Sequence, residues 1–125
     1  MICITYENQK VKELFEDLND IRNSKNLMKK AIGTEITRAV KKRYNQIIAF
    51  DNFYELIQSY SGKIESLAGN KDGEYSLWLT ANYILIIAPN TKTYNTETLK
   101  RCDTCIIKGV VDYHGKGSKN NWLIP

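Results

Sequence analysis

Five consecutive residues near the end of the chain, Asp112-Tyr113-His114-Gly115-Lys116, gather a carboxylate, a phenol, the single histidine of the protein and an ammonium group. Imidazole is the side chain whose ordinary pKa lies closest to neutrality, so His114 is the one ready candidate for proton transfer. A neighbouring carboxylate can orient it, a phenol can donate a hydrogen bond or offer a ring, and a lysine can stabilise developing negative charge. These groups stand at the exit of an apolar run, Ile106-Ile107-Lys108-Gly109-Val110-Val111, that reads as a buried strand. Polar chemistry at a strand end is chemistry on a rigid support. The bland alternative is a strand end whose histidine merely caps a neighbouring carbonyl.

The elements that must position these groups are legible from periodicity. Residues 2–7 alternate Ile2, Ile4 and Tyr6 with Cys3, Thr5 and Glu7, the pattern of a short strand. Asn8 is placed to cap a helix carrying Val11, Leu14, Phe15, Leu18 and Ile21 at helical spacing. Residues 27–32 resume as a helical turn or two, Gly33 interrupts, and Thr34 is expected to cap a stronger helix. There Ile36, Val40, Tyr44 and Ile47 form the inward stripe, and Arg38, Lys41, Lys42 and Asn45 face outward. Asp51 is expected to cap a third helix that packs Phe53, Leu56, Ile57 and Tyr60 inward.

Beyond Ser61 the character turns to β. Residues 75–79 alternate, Thr80-Ala81-Asn82 is a turn, and residues 83–88 form an apolar run stopped by Pro89. Residues 90–103 are polar and read as a loop. The last strand covers roughly 104–113, residues 115–120 form a Gly/Lys/Ser/Asn loop, and Trp122-Leu123-Ile124 folds back onto the body. The expected architecture is therefore α+β: an N-terminal strand and two to three helices packed on a small antiparallel sheet. In that sheet, period-2 alternation puts Lys108, Val110 and Asp112 on one face, where Lys108 and Asp112 would line a common cleft.

Length and composition fit one domain over residues 1–125, with an apolar content of 42% and a charged content of 26%, ordinary for a folded chain. No apolar stretch reaches the length of a membrane-spanning helix, and the N-terminal residues lack the order of a signal peptide, so the expectation is a cytoplasmic protein with no membrane partner. The net charge of +4 is unevenly placed. Residues 24–43 hold Lys25, Lys29, Lys30, Arg38, Lys41, Lys42 and Arg43 against Glu35 alone, a local net charge of +6. Segregated charge of this sort suits an anionic partner, nucleic acid first, although a solvated helix face carries the same pattern.

Three cysteines do not make a disulfide framework. Cys102 and Cys105 have C-x-x-C spacing, but a zinc set would have to recruit Cys3 and His114, and reduced structural thiols are the expectation, with no metal and no cofactor.

Residues 67–79, Leu-Ala-Gly-Asn-Lys-Asp-Gly-Glu-Tyr-Ser-Leu-Trp-Leu, resemble the "L-K-G-x-x-x-G-x-x-S" approach to the central hairpin of HigB toxins, which belong to the RelE/ParE superfamily of bacterial toxin–antitoxin systems. Residues 82–87, Asn-Tyr-Ile-Leu-Ile-Ile, are similar to their "N-x-R-I-x-F" strand, and Asp112-Tyr113-His114 to their "D-Y-H" end. The tail, residues 115–125, resembles a subgroup described as plasmid-maintenance killer proteins. The resemblance spans the chain in order, and its second half carries the specific motifs.

This resemblance implies a RelE-like, microbial-ribonuclease-type fold and a small endoribonuclease that enters the ribosomal decoding site and cleaves mRNA. It also implies silencing by a HigA-like helix-turn-helix antitoxin. The residue chemistry agrees. Cleaving RNA through its own 2′-hydroxyl requires a group to take that proton, a group to protonate the leaving 5′-oxygen, and positive charge near the phosphorane. Asp112, Tyr113, His114 and Lys71 form the candidate catalytic set, and Lys108, Lys116, Lys119, Arg38, Lys41 and Lys42 the candidate RNA-binding set.

Two positions depart from the family pattern. A lysine is replaced by Ala68, for which Lys71 is the nearest substitute, and an arginine of the middle strand is replaced by Ile84. No lysine reproduces a bidentate guanidinium. Weak or altered cleavage is therefore one expectation, in which the chain acts as an antitoxin- or nucleic-acid-binding module. Inhibition of a topoisomerase, as in ParE-like relatives, is another, disfavoured by the Asp-Tyr-His end.

Overall fold

A computed structural model describes residues 1–16, 18, 25–60, 62, 64–66, 73–112 and 121–124. Its N-terminal strand, β1 (Cys3–Tyr6), is followed by four helices: α1 (Gln9–Glu16), α2 (Leu27–Ile32), α3 (Thr34–Ile48) and α4 (Phe53–Ser59). Then come β2 (Ile64–Ser66), β3 (Tyr75–Trp78), β4 (Tyr83–Pro89), α5 (Thr96–Arg101), β5 (Thr104–Asp112) and β6 (Asn121–Ile124). The architecture is α+β.

The sheet runs β1-β5-β4-β3-β2. The stretch from β2 to β5 is an antiparallel meander, whereas β1 lies parallel to β5. The returning tail forms β6, which pairs with the upper half of β5 along the edge that β1 uses lower down. A short turn joins β3 to β4, α5 lies between β4 and β5, and the parallel pairing of β1 with β5 requires a long crossover.

The helices pack on one face of the sheet. Val11 and Phe15 of α1, Val40 and Ile47 of α3, and Phe53 and Leu56 of α4 join Leu77, Leu85, Ile87, Ile107 and Val110 in one buried cluster. Alternation with period 2 sends the intervening strand residues to the opposite face, where Ile84, Ile86 and Val111 form a second buried cluster with Trp78 against it. Truncating a fully buried leucine or isoleucine in the main cluster costs about 2–5 kcal/mol.

Capping follows local side-chain chemistry, with two corrections. Asn8 Oδ1 accepts from Val11 N at 3.0 Å, as expected. The cap of α4 is Asn52, not Asp51: Asn52 Oδ1 accepts from Glu55 N at 2.8 Å. Asp51 instead receives the N-terminal ammonium at 3.0 Å. Thr34 is the first residue of α3 and the cap is Gly33, whose φ of 87° suits glycine. The hydroxyl of Thr37 turns back to Gly33 O at 2.6 Å. Residues 90–103, read as a loop, contain α5, whose cap Asn95 accepts from Thr98 N at 2.9 Å. Its six residues bury only Leu99, too little periodicity to reveal a helix.

β5 carries the largest correction. Ile86 pairs with Gly109 and Ile87 with Ile107, so Lys108 is an extra residue, a β-bulge. Alternation restarts beyond it: Val110 belongs to the helix-side cluster and Val111 to the opposite one. Lys108 and Asp112 therefore do not share a face, and the common cleft expected for them does not exist. Gly109 makes the bulge feasible. Its φ is 152°, and a Cβ there would overlap the carbonyl oxygen of Ile124 in β6.

Candidate functional site

Asp112 is the last residue of β5. Its cross-strand neighbours are Tyr83, the first residue of β4, and Asn121 of β6. Tyr83 packs against the helix-side cluster, so the Tyr83–Asp112 pair lies on the helix side of the sheet. Asp112 is half-buried, and its Oδ1 is shielded from solvent.

Beside this pair the sheet and the helices part. A groove of about 330 Å³ separates the start of α3 from the β3–β4 turn, lined by residues 32–36, Thr80 and Tyr83. Its lining residues are the aliphatic Ile32 and Ile36, the aromatic Tyr83, the hydroxyl-bearing Thr34 and Thr80, Gly33 and the exposed, acidic Glu35. The turn that forms the far wall is held by Leu79 N and Thr80 N, both donating to Tyr83 O, at 2.8 and 3.3 Å.

From the groove, the solvent face of α3 leads away as a stripe. Glu35, Arg38, Lys42 and Asn45 are exposed at spacings of three and four residues, with Lys41 half-buried beside them. Thus Arg38 and Lys42 face solvent together. Arg43, the next basic residue, is tied into the structure. Its Nε donates to Trp78 O at 3.0 Å, and a terminal guanidinium nitrogen donates to Gln46 Oε1 at 3.0 Å. That bridge ties α3 to the end of β3.

The remaining site candidates are dispersed or outside the described residues. Lys108 is on the opposite face of the sheet, with Nζ 2.8 Å from Glu74 Oε2 and 3.9 Å from Glu7 Oε2, and its side chain is only 13% exposed. A lysine held by two carboxylates is a poor phosphate ligand. Lys71, Tyr113, His114, Lys116 and Lys119 lie outside the described residues. The residues that sequence reasoning missed are Thr34, Glu35, Ile36 and Thr80. Their proximity to Tyr83 is tertiary, and the one local signal is the helix break at Gly33.

The apolar environment of Ile84 is unambiguous. It is 4% exposed, paired with Trp78 on one side and Val111 on the other, and faces away from Asp112. The cysteines are also separated: Cys3 is exposed and pairs in register with Thr104, whereas Cys102 and Cys105 are buried. Since Cys3 aligns with Thr104 and alternation sends Cys105 to the core, a joint zinc set of the three is ruled out by direction. Among the described residues no group of three or more His, Cys, Asp or Glu side chains could hold a metal ion, and no helix is long and apolar enough to cross a membrane.

No family model, no curated protein and no solved structure matches this chain.

Proposed function

We propose that this chain is the toxin of a HigB-like toxin–antitoxin pair, a cytoplasmic endoribonuclease acting on ribosome-bound mRNA and silenced by a HigA-like helix-turn-helix partner. The observation that carries this reading is the position of Asp112. It ends the long strand β5 on the helix side, one strand from Tyr83 and the groove, and Tyr113-His114-Gly115-Lys116 follow it directly in sequence. A second support is the layout of the molecule: helices covering one face of a mostly antiparallel sheet, the α+β architecture expected from the sequence.

In this mechanism the 2′-oxygen attacks phosphorus and the bond from phosphorus to the 5′-oxygen breaks. The products are a 2′,3′-cyclic phosphate and a free 5′-hydroxyl. His114 and Asp112 share the proton work: one group takes the 2′-hydroxyl proton and the imidazolium returns a proton to the leaving oxygen. Lys71 and Lys116 stabilise the phosphorane, and Arg38, Lys41 and Lys42 hold RNA backbone. The test is to express wild type and His114→Ala without antitoxin and to map transcript ends. Growth arrest with new 5′-hydroxyl ends in wild type alone supports the reading; equal behaviour of the two removes His114 from the mechanism.

Ile84 favours one rival, a binding module without catalysis. Where the family pattern has a guanidinium, this chain has a buried aliphatic cluster, and Lys108 on that face is neutralised by Glu74 and Glu7. In the rival case antitoxin binding persists while wild type leaves transcripts intact. A topoisomerase inhibitor would instead block gyrase supercoiling in a purified assay.

A further inference from the structure

We infer that the groove between α3 and the β3–β4 turn is a nucleobase pocket that selects a base bearing an exocyclic amino group, with Tyr83 as its stacking face and Glu35 as its acceptor. The inference rests on the ribonuclease reading and specifies which nucleotide neighbours the cleaved bond.

Three observations converge. The groove holds about 330 Å³, at the small end of ligand sites and suited to a single nucleotide rather than a longer segment. Its walls combine what unpaired RNA bases use: an aromatic ring for stacking, aliphatic contact from Ile32 and Ile36, and polar groups at the rim. Its aromatic wall, Tyr83, is the cross-strand neighbour of Asp112, so a base in the groove sits next to the proposed chemistry.

Chemistry at the rim sets the choice of base. A carboxylate only accepts hydrogen bonds, and cytosine, adenine and guanine each present an amino group to it. Uracil has no amino group and offers a carboxylate only its single N3–H, which is flanked on both sides by carbonyl oxygens that the carboxylate repels, so Glu35 accepts it less well. The threonine hydroxyls of Thr34 and Thr80 adapt as donor or acceptor and do not discriminate. The route of the strand is also provided for. Arg38 and Lys42 continue the exposed stripe from Glu35 and lie about 6 Å apart along the helix axis, so they can meet successive phosphates.

The test uses purified full chain and the four nucleoside 3′-monophosphates, titrated to millimolar concentration and followed by backbone amide NMR. Cytidine, adenosine and guanosine monophosphates should shift Thr34, Glu35, Thr80 and Tyr83, and bind roughly 10-fold or more tightly than uridine monophosphate. Glu35→Gln, which can donate as well as accept, should abolish that preference without weakening cytidine monophosphate comparably. Tyr83→Phe should bind like wild type, while Tyr83→Leu should lose affinity for all four. Equal binding of uridine monophosphate by wild type, or shifts confined to residues outside the groove, overturns the inference. Transcript mapping separates the two levels. If wild type cleaves but the groove takes no nucleotide, the pocket is wrong. If the groove discriminates as stated but no transcript is cut, the pocket stands and the ribonuclease reading falls.

Discussion

Lys108 Nζ and Glu74 Oε2 meet at 2.8 Å, and their side chains are 13% and 15% exposed. Glu74 leads into β3 and Lys108 sits in β5, so the pair closes over the intervening strand β4, above Ile86 and Ala88. Removing one partner leaves a largely buried charge without its counter-ion. We expect Lys108→Met to cost about 3 kcal/mol in urea denaturation. The double variant Lys108→Met/Glu74→Leu should recover most of that loss, because the desolvation of both charges disappears together. A Lys108→Met protein that is as stable as wild type would show the pair to be energetically idle.

Gly109→Ala tests the bulge. The positive φ and the overlap of a new Cβ with the Ile124 carbonyl act together, so β6 must move away from β5. The expected loss is at least about 2 kcal/mol, with amide exchange of residues 121–124 accelerated more than that of β3. Exchange unchanged in β6 would mean that the strand accommodates the methyl group elsewhere.

Ile84→Arg, which introduces the residue type of the HigB pattern, is expected to damage the fold rather than create activity. The guanidinium would enter a cluster of Ile86, Val111 and Trp78 on the face turned away from Asp112. Burial of an unpaired charge costs several kcal/mol, so thermal unfolding should shift down by about 10 °C or more. A stable variant with new ribonuclease activity would show that this face carries the chemistry after all.

Much of this layout is legible in the chain itself. The alternation around Ile4 and Tyr6, the stripe of Val40 and Ile47, and the run ending at Pro89 each state their element through burial on one side. What stays hidden depends on single backbone events or on tertiary proximity. Gly109 in mid-strand is a visible sign of a bulge, but its consequence, that Lys108 and Asp112 part company, follows only once Ile86 and Ile87 fix the register. The neighbouring Asp51 and Asn52 are both good caps, and composition alone does not choose between them. The groove cannot be inferred at all, since residues 32–36 and Tyr83 are far apart in the chain.

Alkaline pH should expose the buried phenols. Burial raises the pKa of Tyr60 and Tyr75 above the ordinary 10.0, and burial followed by the neighbouring Tyr44 raises that of Tyr6. A folded pKa above the unfolded value stabilises the fold below pH 10.0, and this contribution is lost as pH rises through the folded values. Ultraviolet titration should therefore resolve a late-ionising set of tyrosines whose ionisation coincides with loss of the near-ultraviolet circular dichroism. Thiol chemistry gives a parallel check at lower pH. Cys105 is held protonated by burial, so among the three cysteines a disulfide reagent should modify exposed Cys3 first and Cys105 only on unfolding.

The two kinds of basic residue on α3 should separate in a salt titration. Arg38 and Lys42 face solvent, whereas Arg43 is engaged by Trp78 O and Gln46. Each phosphate contact to a single strand contributes about 0.7 to the slope of log affinity against log salt. Arg38→Gln/Lys42→Gln should lower that slope for a roughly 12-nucleotide RNA by about 1.4 and leave unfolding in urea unchanged within about 0.5 kcal/mol. Arg43→Gln should do the reverse: the slope stays, while stability falls by about 1–2 kcal/mol as the end of β3 loses its tie to α3. Measured by fluorescence anisotropy between low and physiological salt, an unchanged slope in the double variant would take α3 out of the RNA path. The basic stretch would then be a solvated surface or, under the toxin proposal, a docking site for the proposed helix-turn-helix partner, which a pull-down with that co-expressed partner distinguishes by loss of binding.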